Sequence, residues 1–586
     1  MVRFVLAFLG LLIAGSASAQ FGPGGQFGFG PNPGNTTPPI GYTGVSGPGA
    51  QPSNAAFGPG SPGFLSQSSS TFSVTNFLLQ SQTFKTTPWA TAGEGSIAAP
   101  TVTANTQTAP DSTLTASSLT MPAVTGSGGG GNGSFLYQDL SLSCSYPYLW
   151  DIYVKGAVGG ERLYISVSLD GSGGATTFSR TPITATTTWQ RIQLQFYPCG
   201  QNVSGGGVTD FLEIGTDLRD NGQVATPAQT VYIWGTQLIG GYAERTYIPT
   251  TTATVTQSQV VPLPPGIAFR DFSSLTAYSG NPIIPQNTGT YNAGGVSNVY
   301  ASAPSHVGAT LFGWANCTVS GASRNNWINQ CLYEGTDTQH WTDQSANNPI
   351  VTASAGTWDD HYLLHPALSP VCTTNTFCMY LSAFNSSNNW SIGLFTASVP
   401  AGPWTNYSGN PVLSSSQIAN FPDPGLPSIA QAGSNVYMYT ADSNNAGTFI
   451  GIWQRVSDTN WKFVGPATNP PISGDWDFTN NTGVIDPWVW FNKHGFYEMV
   501  YTSQLSTGGG EQSLGYEISA DGLTWYKYQA APILTFTNAC TVSPISGAKF
   551  VGDGVFFEDG TNFHLTNNCD DAVSHSVGLD FTLPDN

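Results

Sequence analysis

Asn348-Pro349-Ile350 and Asn410-Pro411-Val412 are two occurrences of a phrase that recurs along the second half of the chain. The others are Asn281-Pro282-Ile283, Asn469-Pro470-Pro471-Ile472 and the degenerate Ala531-Pro532-Ile533. In four of the five a Trp stands seven to nine residues before the proline: Trp341, Trp404, Trp461 and Trp525. Successive prolines are 67, 62, 59 and 62 residues apart. A fixed period signals an array of supersecondary units, none of which buries its apolar face alone. A period of about 60 residues rich in short strands fits a propeller blade of four strands plus loops. The phrase therefore predicts five blades around an axis, and function falls to whatever lines the funnel.

Composition supports β-structure. In 586 residues, Gly (69) and Pro (40) are abundant, and aromatics reach 12% while Asp, Glu, Lys and Arg together make only 8%. That balance suits turn-rich sheets with aromatic cores, not helix bundles. The length exceeds one core, so two or more domains are expected. Net charge is −19 with only 15 Lys and Arg. No cation cluster exists to displace counterions, so nucleic acid is not an expected partner, and an anionic membrane surface is disfavoured. A charge-poor, aromatic-rich surface suits a neutral ligand such as a carbohydrate.

The organisation reads from the N-terminus. Arg3, the apolar run Phe4 to Ala14 and Ala17-Ser18-Ala19 compose a signal peptide over residues 1–19, so the protein is expected to be secreted, extracellular or periplasmic. No later run is long and apolar enough for a membrane span. Residues 20–70 form a Gly/Pro-rich leader with Phe-Gly-Pro-Gly phrases and too little apolar surface to order itself. Residues 71–256 show alternating segments, among them Leu149 to Val154, Leu163 to Leu169, Trp189 to Phe196 and Thr230 to Trp234. Alternation with short loops predicts a β-sandwich. Residues 257–586 hold the propeller, with a segment around Phe269 to Ile284 closing the ring. The whole is all-β: an N-terminal β-sandwich and a C-terminal five-bladed β-propeller. Eight cysteines suit the oxidising side of a membrane. Their proximity suggests Cys317–Cys331, Cys372–Cys378, Cys540–Cys569 and Cys144–Cys199, and none has zinc spacing. No cofactor or metal is implied, and a monomer is expected.

Chemistry is sought on the innermost strand of each blade. The inner-strand phrases are His365-Pro366-Ala367-Leu368, Asp423-Pro424-Gly425-Leu426, Asp486-Pro487-Trp488-Val489-Trp490 and Asp553-Gly554-Val555-Phe556. Asp423, Asp486 and Asp553 thus recur just ahead of the strand, with Asp359 and Asp360 slightly further ahead in the second blade. Carboxylates gathered on one axis repel, so that one holds a proton and another does not. Glycoside cleavage uses such a divided pair. Trp358, Tyr362, Trp488 and Trp490 could stack on sugar rings, and His365 and Asp553 could bind substrate. Each has a plainer reading: Asp-Pro is a common turn, aromatics fill propeller cores, and a histidine near an axis is often buried and satisfied.

Two sets of phrases sharpen this. Asn76 to Phe84 with Trp89, Val102-Thr103-Ala104-Asn105, Trp234-Gly235-Thr236-Gln237-Leu238 and Tyr247-Ile248-Pro249-Thr250-Thr251 resemble jelly-roll, carbohydrate-binding-like domains of phage structural proteins and secreted bacterial enzymes. Asp423-Pro424, Asp486-Pro487, Leu514-Gly515-Tyr516-Glu517-Ile518-Ser519-Ala520-Asp521-Gly522-Leu523-Thr524-Trp525, and Gly451-Ile452-Trp453 leading to Trp461 resemble the five-bladed propeller glycosidases, glycoside hydrolase families 32, 43, 62 and 117. The second resemblance implies three acids on successive inner strands. By position, Asp423 would be the orienting carboxylate and Asp486 the proton donor. The family's base, an Asp on the first blade, has no counterpart in Val296-Ser297-Asn298-Val299-Tyr300-Ala301, and its donor is usually Glu. Asp360 could serve as base from the second blade. The expected function is a secreted glycoside hydrolase. The alternative is a non-catalytic carbohydrate-binding or adhesin protein with a degenerate propeller site.

Overall fold

The computed structural model describes residues 59–584, except 62, 126–131, 143–147, 170–176, 197–208, 218–224, 241–244, 285–304, 308–309, 318–328, 336, 338, 345–347, 354–356, 361, 386–388, 415–423, 433, 443–449, 468–483, 505–511, 529–531, 541–549, 559–561 and 571–575. The signal peptide, most of the leader, Asp423 and the Cys144–Cys199 pairing lie outside the described residues.

The architecture is all-β. Two five-stranded antiparallel sheets form the sandwich. One runs Ala90–Gly93, Gly133–Ser141, Thr209–Asp217, Arg162–Leu169, Thr177–Thr184; the other runs Thr101–Gln107, Ala116–Met121, Gln229–Gly240, Tyr148–Gly156, Gln190–Phe196. Period-two alternation explains the core: Trp150, Ile152 and Val154 point inward with Leu163, Ile165, Val167, Leu212 and Ile214. A two-stranded ribbon, Ser69–Asn76 with Val255–Pro262, sits between sandwich and propeller. Val74, Leu149, Ile239 and Ile248 form a cluster there, against which Tyr526 of the propeller packs. The Ser70 hydroxyl donates to the Lys527 carbonyl at 2.7 Å.

Five antiparallel meanders follow, and these are the blades. Blade 1 is Ser305–Val307, Thr310–Cys317, Asn329–Gly335 and Trp341–Asp343; blade 2 is Tyr362–Leu368, Phe377–Phe384, Trp390–Ala397 and Thr405–Asn406. Blade 3 is Pro424–Ala432, Asn435–Asp442, Ile450–Ser457 and Asn460–Pro466; blade 4 is Val484–Phe491, Tyr497–Gln504, Gln512–Ser519 and Trp525–Lys527. Blade 5 is Phe550–Glu558, Asn562–Asp570 and Ser576–Pro584, completed by Thr276–Ala277 from the other end of the propeller sequence. Pairing between the two ends removes an open sheet edge and closes the ring. Cys317–Cys331, Cys372–Cys378 and Cys540–Cys569 are disulfides.

The recurring Asn-Pro phrase has a physical cause. Asn348 Oδ1 accepts from the Leu332 N–H at 2.7 Å while its Nδ2 donates to the Leu332 carbonyl at 3.0 Å. Asn410 clasps Leu394 in the same way, at 2.8 and 2.9 Å. Asn281 clasps Asp580, at 2.8 Å for both bonds. In each case the amide continues the ladder beside the blade's third strand, and the apolar residues after the proline turn into the core. Ile283, Ile284 and Val412 are buried there. Because Asp580 belongs to blade 5, Asn281-Pro282 completes the last blade although it comes first in sequence.

Candidate functional site

The innermost strands share one irregularity. In blades 2 to 5, two consecutive residues face a single residue of the neighbouring strand: His365-Pro366, Leu426-Pro427, Asp486-Pro487 and Asp553-Gly554. Such a β-bulge bends the strand and re-aims a side chain. His365, Leu426 and Asp486 hold left-handed backbones, with φ of 53°, 55° and 52°. Non-glycine residues rarely adopt this region, and its use on three successive inner strands marks an imposed geometry.

The bulges converge on a small cup lined by His365, Pro366, Pro427, Asp486, Pro487, Trp488, Gly554 and Val555. Its free volume is about 10 Å³, room for one water. His365 Nδ1 and Asp486 Oδ1 stand 3.7 Å apart, both side chains more than nine-tenths buried. That gap exceeds a direct hydrogen bond and is wide enough to be bridged. Burial pushes the His365 imidazole well below its usual pKa, so the ring is neutral. A neutral imidazole beside a carboxyl group offers one donor and one acceptor of its own to anything held between them.

The other sequence-derived candidates distribute as follows. Trp488 lines the cup, its indole N–H donating to the Phe556 carbonyl at 3.1 Å. Trp490, two residues on, is buried in the cluster shared with Phe556 and Phe563 and is a core residue, not a sugar platform. Trp358 is half-buried and packs on Phe395, over Gly393, where a Cβ would collide with the indole. It too is packing. Asp360 is half-buried just ahead of the blade 2 inner strand and is not among the cup's lining residues; its neighbour Asp359 is fully buried and accepts the Thr357 hydroxyl. Asp553 falls in the blade 5 bulge, but its side chain lies outside the described residues, as does all of Asp423. The ladder place of Asp486 is taken in blade 3 by Leu426, three residues beyond Asp423. The two Asp-Pro phrases are therefore not equivalent. His564 is a buried, satisfied histidine, its Nδ1 3.0 Å from Asp580.

Tyr362 occupies a second level, three residues ahead of His365, roughly 10 Å along the strand. It pairs with Phe384, which pairs with Trp390, so three aromatics stand in one rung across three strands. Tyr362 and Phe384 are stacked at 5.2 Å and Phe384 meets Trp390 at 5.0 Å; all three are half-buried. Asn385 and the exposed Asn389 flank the rung. Phe384 and Trp390 escaped sequence reasoning because only strand pairing sets them beside Tyr362.

Among the described residues, one His/Cys/Asp/Glu group has ligand-like spacing: Cys372, Cys378 and Asp458. Its sulfurs are joined in a disulfide, and Asp458 instead binds Thr373 and Arg455, so the group is a clamp between blades.

No family model and no curated protein matches this chain. Solved structures similar to it are family-43-type and related glycoside hydrolases. A thermostable family-43 glycoside hydrolase is 17% identical over 47% of this chain and 86% of its own, with a TM-score of 0.36. An α-L-arabinofuranosidase from Lactobacillus brevis is 14% identical, covering 52% and 93%, with a TM-score of 0.36. An endo-1,4-β-xylanase from Bacteroides thetaiotaomicron is 16% identical, covering 49% and 91%, with a TM-score of 0.35. Each is a likeness over about half of the chain, and none identifies its activity.

Proposed function

We propose that the protein is a secreted glycoside hydrolase whose reaction centre is the axial cup. The observation carrying this reading is the convergence of His365 from blade 2 and Asp486 from blade 4 on a space the size of one water. A sugar ring does not fit at that level. It fits one level up, against the Tyr362–Phe384–Trp390 rung, where CH faces stack on aromatic rings. The glycosidic oxygen of a sugar held there reaches down to the mouth of the cup, where Asp486 supplies the proton directly or through the one water the cup admits, and neutral His365 orients that water or a substrate hydroxyl. Asp423, which lies outside the described residues, is the second carboxylate. Three disulfides and the signal-peptide pattern at residues 1–19 fit an extracellular or periplasmic protein.

The test is reducing-sugar release from a panel of neutral polysaccharides by the full chain and by Asp486→Asn. Release by the former and its loss in the latter are expected. No release from any polymer would overturn the reading. A second reading, a carbohydrate-binding protein, is favoured by the narrowness of the cup and by the missing first-blade acid. In that case glycan binding persists unchanged in Asp486→Asn and is lost in Trp390→Ala.

A further inference from the structure

A groove much larger than the axial cup lies outside the propeller. It lies at one end of the sandwich, about 660 Å³, between the Ala157 to Glu161 turn and the Ala225 to Thr230 segment. Its apolar side is supplied by Ala157, Val158, Pro227 and Ala228, and its polar side by Arg162, Gln229, Thr120 and Thr230.

Two buried or tethered groups build the groove. Both carboxylate oxygens of Glu161, itself buried, accept backbone N–H groups of the turn, from Val158 at 2.7 Å and Gly159 at 2.9 Å. Gly159 and Gly160 take φ of 93° and 92°, which the turn requires. Gln229 accepts from the Arg162 N–H at 3.1 Å and donates to the Arg162 carbonyl at 2.5 Å. The backbone that carries Arg162 is thereby fixed at the rim. Its exposed guanidinium has no partner among the described residues, whereas Arg191, Arg270 and Arg455 each face a carboxylate. In a chain with 34 acidic and 15 basic residues, an arginine unpaired among the described residues at the edge of this groove is out of pattern. Arginine is the side chain suited to planar two-point recognition of a carboxylate.

We infer that this groove binds a carboxylated glycan strand, with Arg162 holding the carboxylate of a uronate unit. The apolar side takes the CH face of the ring, and the Thr120 and Thr230 hydroxyls, 3.1 Å apart, face its hydroxyl groups. The site is independent of the propeller chemistry.

The test is calorimetric titration of the full chain with a soluble polygalacturonate, with its fully methyl-esterified form and with poly-glutamate. Binding to polygalacturonate is expected, about tenfold or more weaker for the ester, and weakened by salt. Arg162→Gln weakens it about tenfold or more, and Lys155→Gln leaves it unchanged. Because Gln229 holds the backbone of Arg162 and not its side chain, Arg162→Gln retains the fold, which an unchanged melting temperature verifies. No binding to polygalacturonate, equal binding to the ester or to poly-glutamate, or full affinity in Arg162→Gln would each overturn the assignment.

Discussion

Asp486 and His365 carry the reading at the scale of single residues, and their backbones are as informative as their side chains. Aspartate and asparagine tolerate the left-handed region better than most residues because their short polar side chains bond locally. Asp486→Asn therefore keeps the bulge while removing the proton. It is expected to lower hydrolysis by 10² to 10⁴-fold, the range for a lost general acid, with an unchanged melting temperature. His365 gives a pH prediction. Its folded pKa lies well below its unfolded value near 6.5, so as pH falls below about 6.5 the unfolded chain binds a proton the folded one refuses. Stability contributed above that pH is lost on acidification, and melting temperatures between pH 7 and pH 5 should fall less in His365→Gln than in the parent. Equal slopes would show that the imidazole titrates normally.

The asparagine clasp and the inner-strand bulge are devices of whole elements. Asn348→Ala leaves the N–H and carbonyl of buried Leu332 without their amide partner, at a cost of about 1–3 kcal/mol. Urea unfolding should record that loss, and Asn410→Ala should match it. Much of this was legible in the sequence as a 60-residue recurrence, although the bond that enforces the recurrence was not. The bulge was legible too, but in another register. His365-Pro366, Leu426-Pro427 and Asp486-Pro487 are 61 and 60 residues apart, and the Asp423-Pro424 to Asp486-Pro487 interval of 63 fits the 59 to 67 of the recurrence as well, so spacing does not choose between the two registers. Matching by residue identity favoured the two aspartates, whereas ladder pairing follows backbone position. Trp490 shares the face of Trp488, two residues back, but is buried in the blade core where Trp488 is only half-buried beside the cup, a difference of depth that alternation does not reveal.

The molecule as a whole is joined by a buried cation. Arg270 follows the ribbon and is enclosed between the Phe563 ring at 3.9 Å and the Phe64 ring at 5.0 Å. Its guanidinium makes two bonds to Glu498 of blade 4, at 2.9 and 2.8 Å, and one to Glu558 of blade 5 at 3.3 Å. Burial would raise the Glu498 pKa, but Arg270 and the hydroxyl of Tyr516 outweigh it and hold the carboxyl below its usual value. Removing only the cation strands a buried carboxylate, so Arg270→Met should destabilise the protein by about 3–5 kcal/mol, and Glu498→Gln added to it should recover part of the loss. Stability held by the depressed Glu498 is present above its unfolded pKa and is lost as pH falls through the folded one. A loss of stability below about pH 4 is expected by circular dichroism, and it should be shallower in the double variant, which keeps other depressed carboxyls such as Asp458.

By itself the sequence determined what depends on pattern. The period of Asn-Pro and Trp announced five similar units, alternation announced the sandwich, and cysteine proximity announced three bridges. These are local or periodic properties, written into consecutive residues. The cup, the aromatic rung and the Arg270 latch each join residues tens to hundreds of positions apart, including Phe64, Arg270, Glu498 and Glu558. Their composition follows from strand register and from which side chain a bulge turns inward. Only the tertiary structure decides that, because one residue of slip sends every side chain to the opposite face.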